Sequence, residues 1–413
     1  MIAIQLQRRR RGRRRLPSLS LRGAALAACA VASIASFGSI GGCSSVAGRG
    51  AQSGAPASGL SIEVEGTHFV DASGATLQLR GVSASGLESV AIQGWDRADP
   101  WGGWQPVWSA LQAWHVNVVR LPLNEASWLG YSCIDGKGAS RNPDPGGNYR
   151  VTVERAVAAA NAAGLYVILD LQWTAPGRYC PLGQNRMADA DHAPAFWTSV
   201  ASTFKNNRAV LFELFNEPYL DRSGGGRTGG ADAWSEWLGG GTQAQIESPA
   251  ATGYAWQSAG EQQLLDTVRA TGADNVILIG GLDYSNDLRG WPAHAPRDPR
   301  RQLAAAWHIY ANNALTDTTA GSATVNMLSA VAALVPLVIT EVGDADGPGA
   351  SGAFVTRVMN FADENSYSYL AWTWNHWGQA ANDLILDDAG TPTIGFGTHV
   401  KQHYVCRATQ SRC

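Results

Sequence analysis

Eight short apolar segments alternate with helical stretches along the chain, and this alternation constrains the fold more than any other feature. Each segment is rich in Val, Ile, Leu or aromatic residues. The segments are Leu77–Val82, Val116–Leu121, Tyr166–Leu171, Val210–Phe215, Asn275–Ile279, Ala304–Tyr310, Pro336–Thr340 and Tyr369–Trp374. Near-continuous apolar segments are typical of strands that are buried on both faces, as in parallel sheets.

The stretches between these segments carry apolar residues at helical spacing. Examples are Thr152–Ala163, Ala195–Lys205, Gly260–Thr271 and Ala353–Glu364. Eight strands with helical crossovers predict an α/β fold, a single (β/α)8 TIM barrel with long βα loops. A doubly wound open sheet is the alternative, but the sequence has no GxGxxG fingerprint. Ile62–Val70, followed by the turn Asp71–Gly74, is expected to form a hairpin at the bottom of the barrel.

Three long connections follow the second, third and fourth segments. They are Asn124–Tyr149, Trp173–Pro194 and Tyr219–Ala259. All follow the C-terminal ends of predicted strands, where barrel enzymes build their sites. The third contains the triple-glycine stretches Gly224–Gly226 and Gly239–Gly241. It is therefore interpreted either as a mobile wall of a binding cleft or as a disordered surface insertion.

The N-terminal 42 residues have the parts of an export signal. They contain eight arginines and no acidic residue, and an uncharged Ala-rich stretch runs from Gly23 to Gly42. The next residue, Cys43, ends the sequence IGGC, which resembles a bacterial lipobox and predicts lipidation of Cys43. Ordinary cleavage nearby is the alternative. Lipidation predicts a lipoprotein of the outer membrane or cell surface, and simple cleavage predicts a secreted or periplasmic protein.

Residues 43–59 are small and polar and predict a flexible tether before a single domain over residues 60–413. The net charge of −3 hides an asymmetry, because residues 1–42 hold eight of the 31 basic residues. The remainder has 23 basic residues against 34 acidic ones, a net charge of −11. Such an acidic surface repels phosphate backbones, so we expect no nucleic-acid partner.

The cysteines fit an oxidising compartment. Apart from Cys29 and Cys43 there are four, which permit three pairings. We predict that Cys133–Cys180 joins two loops and that Cys406–Cys413 closes the C-terminus. The sequence has no CxxC pair or Cys/His cluster typical of zinc, and its eight histidines are scattered. We therefore predict no metal site and no cofactor.

Two glutamates follow apolar strands in equivalent positions. Asn216-Glu217-Pro218 follows the fourth segment, and Glu341 follows the seventh. In an eight-stranded barrel these strands end on opposite sides of one mouth, so the two carboxylates can face each other. Retaining glycoside hydrolysis requires such a pair. A single glutamate at a strand end is more often a helix-capping or salt-bridging group, and two in equivalent positions favour catalysis.

At these residues the chain resembles glycoside hydrolase family 5, the cellulase A family. The matching pieces occur in the family's order and span most of residues 60–413. They are LQLRGV (Leu77–Val82), NVVRLP (Asn117–Pro122), ELFNEP (Glu213–Pro218), WHIY (Trp307–Tyr310), ITEVG (Ile339–Gly343) and AWTWN (Ala371–Asn375). The resemblance implies a (β/α)8 catalytic domain with catalytic glutamates at the ends of strands four and seven.

The resemblance assigns the two chemical roles. Glu217 matches the general acid/base, which must rest protonated, and Glu341 matches the nucleophile, which must stay ionised. Arg120 and Tyr310 match the partners that hydrogen-bond to the nucleophile and stabilise its charge.

The resemblance also implies sugar contacts. Asn216 is expected to bind the sugar 2-hydroxyl, and His308 matches the histidine near the acid/base. Trp374 matches the tryptophan of strand eight, whose ring would floor the central subsite. Trp372, two residues away, is predicted to share its face of the strand, which leaves this assignment open between the two.

Two positions depart from the family pattern. Many members read D-x-H on strand three, whereas this chain has Gln172 in the histidine position, and Ser83 replaces an Asn after strand one. Gln172 can bind sugar hydroxyls but cannot titrate near neutral pH.

Of the tryptophans in or beside loops, we expect about half to be packing residues, and we favour Trp173 and Trp377 for sugar binding because each follows a strand end. The set is Trp101, Trp104, Trp128, Trp173, Trp234, Trp237, Trp291 and Trp377.

Together these features predict an exported, monomeric, retaining glycosidase that cleaves a polysaccharide internally, with β-1,4-glucan as the expected substrate. A β-mannanase or a mixed-linkage glucanase is the alternative within the enzyme class. Outside it, the alternative is a non-catalytic glycan-binding lipoprotein. The sequence has no GxSxG, P-loop or HExxH motif for other hydrolytic chemistry.

Overall fold

A closed barrel of eight parallel strands forms the centre of the computed structural model, which describes residues 59–220, 233–344, 351–377, 382–410 and 413. Each barrel strand pairs with the strands before and after it in the chain, and β8 pairs with β1 to complete the ring. The strands are β1 (Arg80–Ser83), β2 (Val118–Asn124), β3 (Tyr166–Trp173), β4 (Val210–Glu213), β5 (Ile277–Ile279), β6 (Leu303–Tyr310), β7 (Leu337–Gly343) and β8 (Ser368–Trp372). The predicted barrel and all eight of its strands are confirmed.

Helices cover the outside of the barrel. The main crossover helices are Trp108–Ala113, Tyr149–Ala162, Ala193–Phe204, Glu261–Ala270, Ala323–Ala332, Ala353–Glu364 and Phe396–Thr409. Shorter helices lie in the connections, at Val90–Gln93, Glu125–Leu129, Ala233–Gly239, Leu282–Ser285 and Trp291–His294. Among the described residues, no helix combines the length and the apolar character needed to cross a membrane.

The barrel interior divides into an apolar half and a charged half. Apolar side chains from the strands form one buried cluster, which includes Val118, Ile168, Leu211, Leu278, Ala306, Val338 and Leu370. Strand side chains alternate between faces, so the next inward position lies two residues further along. There the chain has Arg120, Asp170, Glu213, His308 and Thr340, all buried. The charged half is therefore at the C-terminal end of the barrel.

A small antiparallel sheet closes the opposite end of the barrel. Its strands are Ile62–Glu65, His68–Asp71 and Thr76–Leu77. Ile62 and Phe69 belong to the apolar cluster of the barrel interior. The predicted hairpin is confirmed, although a third strand extends it. Leu77 belongs to this sheet, and β1 therefore begins at Arg80, later than the predicted Leu77.

The long connections are folded where the structure describes them. A two-stranded sheet (Cys133–Ile134 with Ser140–Arg141) lies in the first, and a second one (Gly241–Gln243 with Trp256–Ser258) lies in the third. With the helix Ala233–Gly239, this argues against wholesale disorder of the third connection. The stretch Gly224–Gly226 lies outside the described residues, as do residues 1–58 with the predicted export signal, Cys43 and nearly all of the tether.

Two disulfides have the predicted pairing. Cys133–Cys180 joins the connections after β2 and β3, across 47 residues of sequence. Cys406–Cys413 closes a loop of seven residues at the C-terminus. The first therefore links two of the loops that surround the charged end of the barrel.

Candidate active site

Arg120 is the central cation of the charged half. Its side chain is fully buried, Nε donates to Oε2 of Glu213 at 2.6 Å, and Nη1 donates to Oε1 of Glu341 at 2.8 Å. Nη2 donates to Oδ1 of Asn216 at 2.7 Å and lies 3.1 Å from Oδ2 of Asp170. A planar guanidinium with five N–H donors can serve all these partners, whereas a lysine ammonium cannot.

Gln172 stands beside this cluster at the next inward position of β3 after Asp170. It is 8% exposed, and its Oε1 accepts from Nη1 of Arg120 at 3.4 Å. Gln172, which stands where many family members have His, thus contacts the guanidinium of Arg120. Because a side-chain amide does not titrate near neutral pH, Gln172 cannot take up or release a proton as a histidine could.

Glu341 faces the barrel interior together with its neighbour Thr340. The register between β6 and β7 shifts at this point, so that Trp307 pairs with Ile339 and His308 pairs with Glu341. Such a bulge places two residues of one strand opposite one of the next. Two consecutive polar side chains can therefore both reach the site.

Tyr310 binds Glu341 from the other side. Its hydroxyl donates to Oε2 of Glu341 at 2.5 Å, and the ring lies against Gly343. A Cβ atom at position 343 would collide with the ring. The glycine therefore permits the phenol to approach the carboxylate.

Glu217 lies four residues beyond the end of β4, and the loop after β5 holds it. The carbonyl of Asn216 accepts from Oγ of Ser285 at 2.9 Å, and the carbonyl of Pro218 accepts from the amide of Tyr284 at 2.9 Å. The Glu217 side chain is 21% exposed, against 4% for Glu341. Glu217 is thus the glutamate with access to solvent.

His308 connects the two glutamates. Its Nδ1 lies 2.9 Å from Oε1 of Glu217 and 3.7 Å from Oε2 of Glu341, and Nε2 lies 3.1 Å from the hydroxyl of Thr340. A carboxylate oxygen of Glu217 and one of Glu341 are within 4.8 Å of each other. The structure therefore brings together the residues predicted from the sequence as acid/base, nucleophile and their polar partners.

The charges of the site shift the pKa values of its members. Burial acts to lower the pKa of His308, but the negative charge of Glu341 and hydrogen bonds to carboxylates outweigh it and raise this pKa to about 10. Burial raises the pKa of Glu341 above its ordinary value, against the opposing positive charges of His308 and Arg120. Burial also raises the pKa of Tyr310 well above its ordinary value, which keeps the phenol protonated as a donor.

Three residues of the site lie outside the set predicted from the sequence: Asp170, Glu213 and Thr340. Burial acts to raise the pKa of Glu213, but Arg120 outweighs it and holds that pKa below its ordinary value. Burial raises the pKa of Asp170 well above its ordinary value, which favours its neutral form. Their position in the sequence could have indicated them. Each is a polar residue on an otherwise apolar strand, two positions after an apolar residue that points into the barrel.

The two tryptophans of strand eight differ in burial, and this difference favours Trp372 over Trp374 for the predicted floor of the central subsite. Trp372 is partly exposed and has the inward alternation of Leu370. Trp374 is 2% exposed and packs edge-on against Trp114 at a centroid distance of 4.8 Å. The strand ends at Trp372, so the alternation that predicts a shared face does not continue to residue 374.

Of the eight tryptophans in or beside loops, half are core residues. Trp101, Trp128, Trp237 and Trp291 are at most 1% exposed. Trp173 lies on the opposite face of β3 from Gln172 and packs beside the Cys133–Cys180 disulfide. Trp377 is partly exposed and meets Trp104 edge-on, with 5.7 Å between ring centroids. Sugar binding by Trp173 and Trp377 remains a prediction.

Two groups of three side chains in the described residues have ligand atoms close enough to hold a metal ion. One is Glu217, His308 and Glu341, whose contacts are described above. The other is Glu125, Asp189 and His192, beneath the loops after β2 and β3. Glu125 and Asp189 are fully buried, and each has one oxygen without a hydrogen-bond partner among the described residues. A proton shared by the two carboxyl groups would satisfy both oxygens without an ion.

Comparison with solved structures supports the fold. The β-glucanase SdGluc5_26A from Saccharophagus degradans, in complex with cellotetraose, aligns with a TM-score of 0.57 and 22% identity, over 84% of this chain and 93% of that one. The catalytic domain of a mannanase from Streptomyces sp. SirexAA-E aligns with a TM-score of 0.54 and 18% identity, over 87% and 95%.

Curated relatives carry endoglucanase names. Endoglucanase C of Evansella cellulosilytica is 25% identical over 81% of this chain and 39% of its own length. Endoglucanase 5 of Pectobacterium carotovorum subsp. carotovorum is 24% identical over 78% of this chain and 52% of its own length. The chain thus spans about two fifths to one half of the length of these two relatives.

The family profile described as Cellulase (glycosyl hydrolase family 5) matches residues 70–378, three quarters of the chain and all eight barrel strands. The chain therefore belongs to glycosyl hydrolase family 5.

Proposed function

We propose that the chain is a retaining glycoside hydrolase that cleaves internal β-1,4 linkages of a β-glucan. The observation that carries this proposal is the Glu217–Glu341 pair, with carboxylate oxygens within 4.8 Å across the barrel mouth. Retaining enzymes have carboxyl groups about 5–5.5 Å apart, whereas inverting enzymes leave about 6.5–9.5 Å for a water molecule. The endoglucanase names of the relatives support a glucan substrate.

In the first step, Glu217 gives its proton to the leaving glycosidic oxygen while Glu341 attacks the anomeric carbon. Arg120 and the Tyr310 hydroxyl each bind one oxygen of Glu341. They hold the carboxylate in position and favour its ionised form. The bond to the leaving sugar breaks as the bond to Glu341 forms, which leaves a glycosyl ester on Glu341.

In the second step, water gives a proton to Glu217 and attacks the anomeric carbon, the bond from that carbon to Glu341 breaks, and the Glu341 carboxylate is restored. Glu217 has the solvent exposure that this role needs, and Glu341 is nearly buried. The 2-hydroxyl of the sugar is expected to contact Asn216, whose Oδ1 is held by Arg120. Trp372 is expected to provide the apolar floor beneath the reacting sugar ring.

The test is a panel of carboxymethyl-cellulose, lichenan and glucomannan, followed by reducing-end release and by viscosity. A glucanase that acts internally lowers the viscosity of carboxymethyl-cellulose early in the reaction. Cleavage of glucomannan alone would favour a β-mannanase, and cleavage of lichenan alone a mixed-linkage glucanase. Binding of glycans without any new reducing ends would favour a non-catalytic glycan-binding protein.

The carboxylate roles are tested with Glu217→Gln and Glu341→Gln. Each is expected to lower kcat by about 10²–10⁴-fold. Glu364→Gln, at an exposed helix end outside the site, is the matched control and should retain activity. If both variants retained near wild-type hydrolysis of every soluble glucan that the parent cleaves, the assignment would be wrong.

Release of the β-anomer as the first product, seen by proton NMR, would support a retaining mechanism, and release of the α-anomer would exclude it.

We also propose that the protein is exported and anchored through a lipid on Cys43. The arginine-rich, acid-free residues 1–42 and the sequence IGGC support this proposal. Globomycin, which blocks lipoprotein signal cleavage, should then cause a larger precursor to accumulate in cells. Unchanged processing would favour simple secretion instead.

A further inference from the structure

A continuous chain of hydrogen bonds leads from Glu217 into the barrel interior. His308 Nδ1 lies 2.9 Å from Glu217, and His308 Nε2 lies 3.1 Å from the hydroxyl of Thr340. The same hydroxyl donates to Oε1 of Glu213 at 2.8 Å. Oε2 of Glu213 accepts from Nε of Arg120 at 2.6 Å, so both of its oxygens are engaged. Of these residues only Glu217 is partly exposed.

The chain has a fixed direction. A threonine hydroxyl has a single proton, and in this structure it is donated to Glu213. Glu213 can only accept, because the buried Arg120 keeps it ionised. The hydroxyl oxygen of Thr340 must therefore accept from His308, and this requires a proton on Nε2. Nδ1 is then the ring nitrogen that meets Glu217.

We propose that Glu213 and Thr340 are positioning residues for the acid/base step, which fix the protonated Nε2 and the ring orientation of His308. They act through His308 and do not touch substrate. This inference rests on the proposed glycosidase function. Its physical basis is that a buried N–H without an acceptor is costly, so a ring rotated away from Thr340 is disfavoured.

The relay also stabilises the charged form of His308. The imidazolium donates from both ring nitrogens, to Thr340 and to Glu217. Two further carboxylates face it: Glu213 lies 3.9 Å from Nε2, and Glu341 lies 3.7 Å from Nδ1. Loss of the Thr340 hydroxyl removes one acceptor from this cation. The charged form of His308 should then give up its proton at a lower pH.

The decisive comparison is Thr340→Val against Thr340→Ser. Valine has nearly the shape of threonine but no hydroxyl, whereas serine keeps the hydroxyl and loses a methyl group. For Thr340→Val we expect kcat to fall about tenfold or more with little change in KM. The alkaline limb of the pH profile of kcat/KM should move about one pH unit towards acid, as expected for one lost hydrogen bond to a charged group. Thr340→Ser should keep the wild-type limb.

A merely structural role would lower the melting temperature and the active fraction without moving the pH profile. Identical profiles for Thr340→Val and Thr340→Ser would therefore overturn the proposal. Glu213→Gln is a second variant, for which we expect a shift of the alkaline limb in the same direction.

Nitrogen-15 NMR of the histidine side chains provides a readout that is independent of activity. In the wild type we expect a protonated Nε2 of His308 that exchanges slowly with solvent, and in Thr340→Val a faster exchange. If the wild type cleaved no glycan but showed this protected proton, the proposed function would fail and the relay would stand. If it cleaved glucan without a protected Nε2 proton, the relay would fail and the function would stand.

Discussion

Arg120 donates from Nη1 to Oε1 of Glu341 at 2.8 Å, between a fully buried guanidinium and a carboxylate that is 4% exposed. Because the pair has almost no access to water, each charge depends on the other for its stabilisation. The same guanidinium also binds Glu213 and Asn216. The counterion of the proposed nucleophile is therefore part of the barrel core.

Arg120→Lys should lower both activity and stability. A lysine cannot reproduce the forked contacts to Glu213, Glu341 and Asn216, so buried carboxylate oxygens lose their donors. We expect kcat/KM to fall by about 10²-fold or more and the free energy of unfolding in urea to fall by about 3–5 kcal/mol. Arg208→Lys is the control, since Arg208 pairs with Glu63 at 2.7 Å on the surface and should cost less than about 1 kcal/mol. Equal losses in the two variants would contradict this account.

Trp372→Ala and Trp374→Ala should have opposite consequences. Trp372 is partly exposed at the mouth, so its loss should raise KM or lower kcat/KM with a small effect on stability. Trp374 is buried against Trp114, so its loss should lower the free energy of unfolding by about 3–5 kcal/mol. Steady-state kinetics and urea unfolding of both variants are the measurements. A stable but inactive Trp374→Ala variant would favour Trp374 as the ring that floors the central subsite.

The two disulfides should contribute unequally to stability. Cys133–Cys180 closes a loop of 47 residues and Cys406–Cys413 one of seven. Loop-closure entropy predicts that loss of the longer one, in the double variant Cys133→Ala/Cys180→Ala, costs about 1.7 kcal/mol more than loss of the shorter one in Cys406→Ala/Cys413→Ala. Urea midpoints of the two double variants test this. A larger loss for the C-terminal pair would be inconsistent with the entropic explanation.

Glu125 should make the fold lose stability as pH rises above about 4.3. Burial and the negative charge of Asp189 raise the pKa of Glu125 well above its ordinary value. For an acid whose pKa is raised on folding, stability is fully present below the unfolded pKa, about 4.3, and declines as pH rises towards the folded pKa. Glu125→Gln keeps a donor for Asp189 and cannot ionise, so its decline in stability with pH should be shallower.

The measurement is the urea midpoint from pH 5 to pH 9, with Glu364→Gln as an exposed control that should follow the wild type. An unchanged slope for Glu125→Gln would argue against a shared proton. A loss of wild-type stability on addition of EDTA would indicate a bound cation at Glu125, Asp189 and His192 instead.

The barrel could be predicted from the sequence because its strands are buried on both faces. Each therefore appears as an apolar segment, and the carboxylates that follow two of them stand out. The prediction is wrong where it continues the strand-eight alternation from Trp372 to Trp374, since nothing local marks the end of that strand. Glu213 and Thr340 could not be assigned roles, because their partners Arg120 and His308 are about 90 and 30 residues away in sequence. The bulge that turns Thr340 and Glu341 to the same side depends on the pairing of β7 with β6. It therefore could not be predicted from the sequence of β7 alone.

The division of the barrel interior has a consequence for chains that fold with a strand out of register. Apolar and ionic inward positions share the same strands, two residues apart. A slip of one residue in any pairing would turn Arg120 or Glu213 outwards against the helices and expose the apolar set to the wrong environment. Misaligned chains would thus lose the charged half of the barrel and expose apolar side chains at the same time, so we expect them to aggregate and not to persist as folded chains without the site.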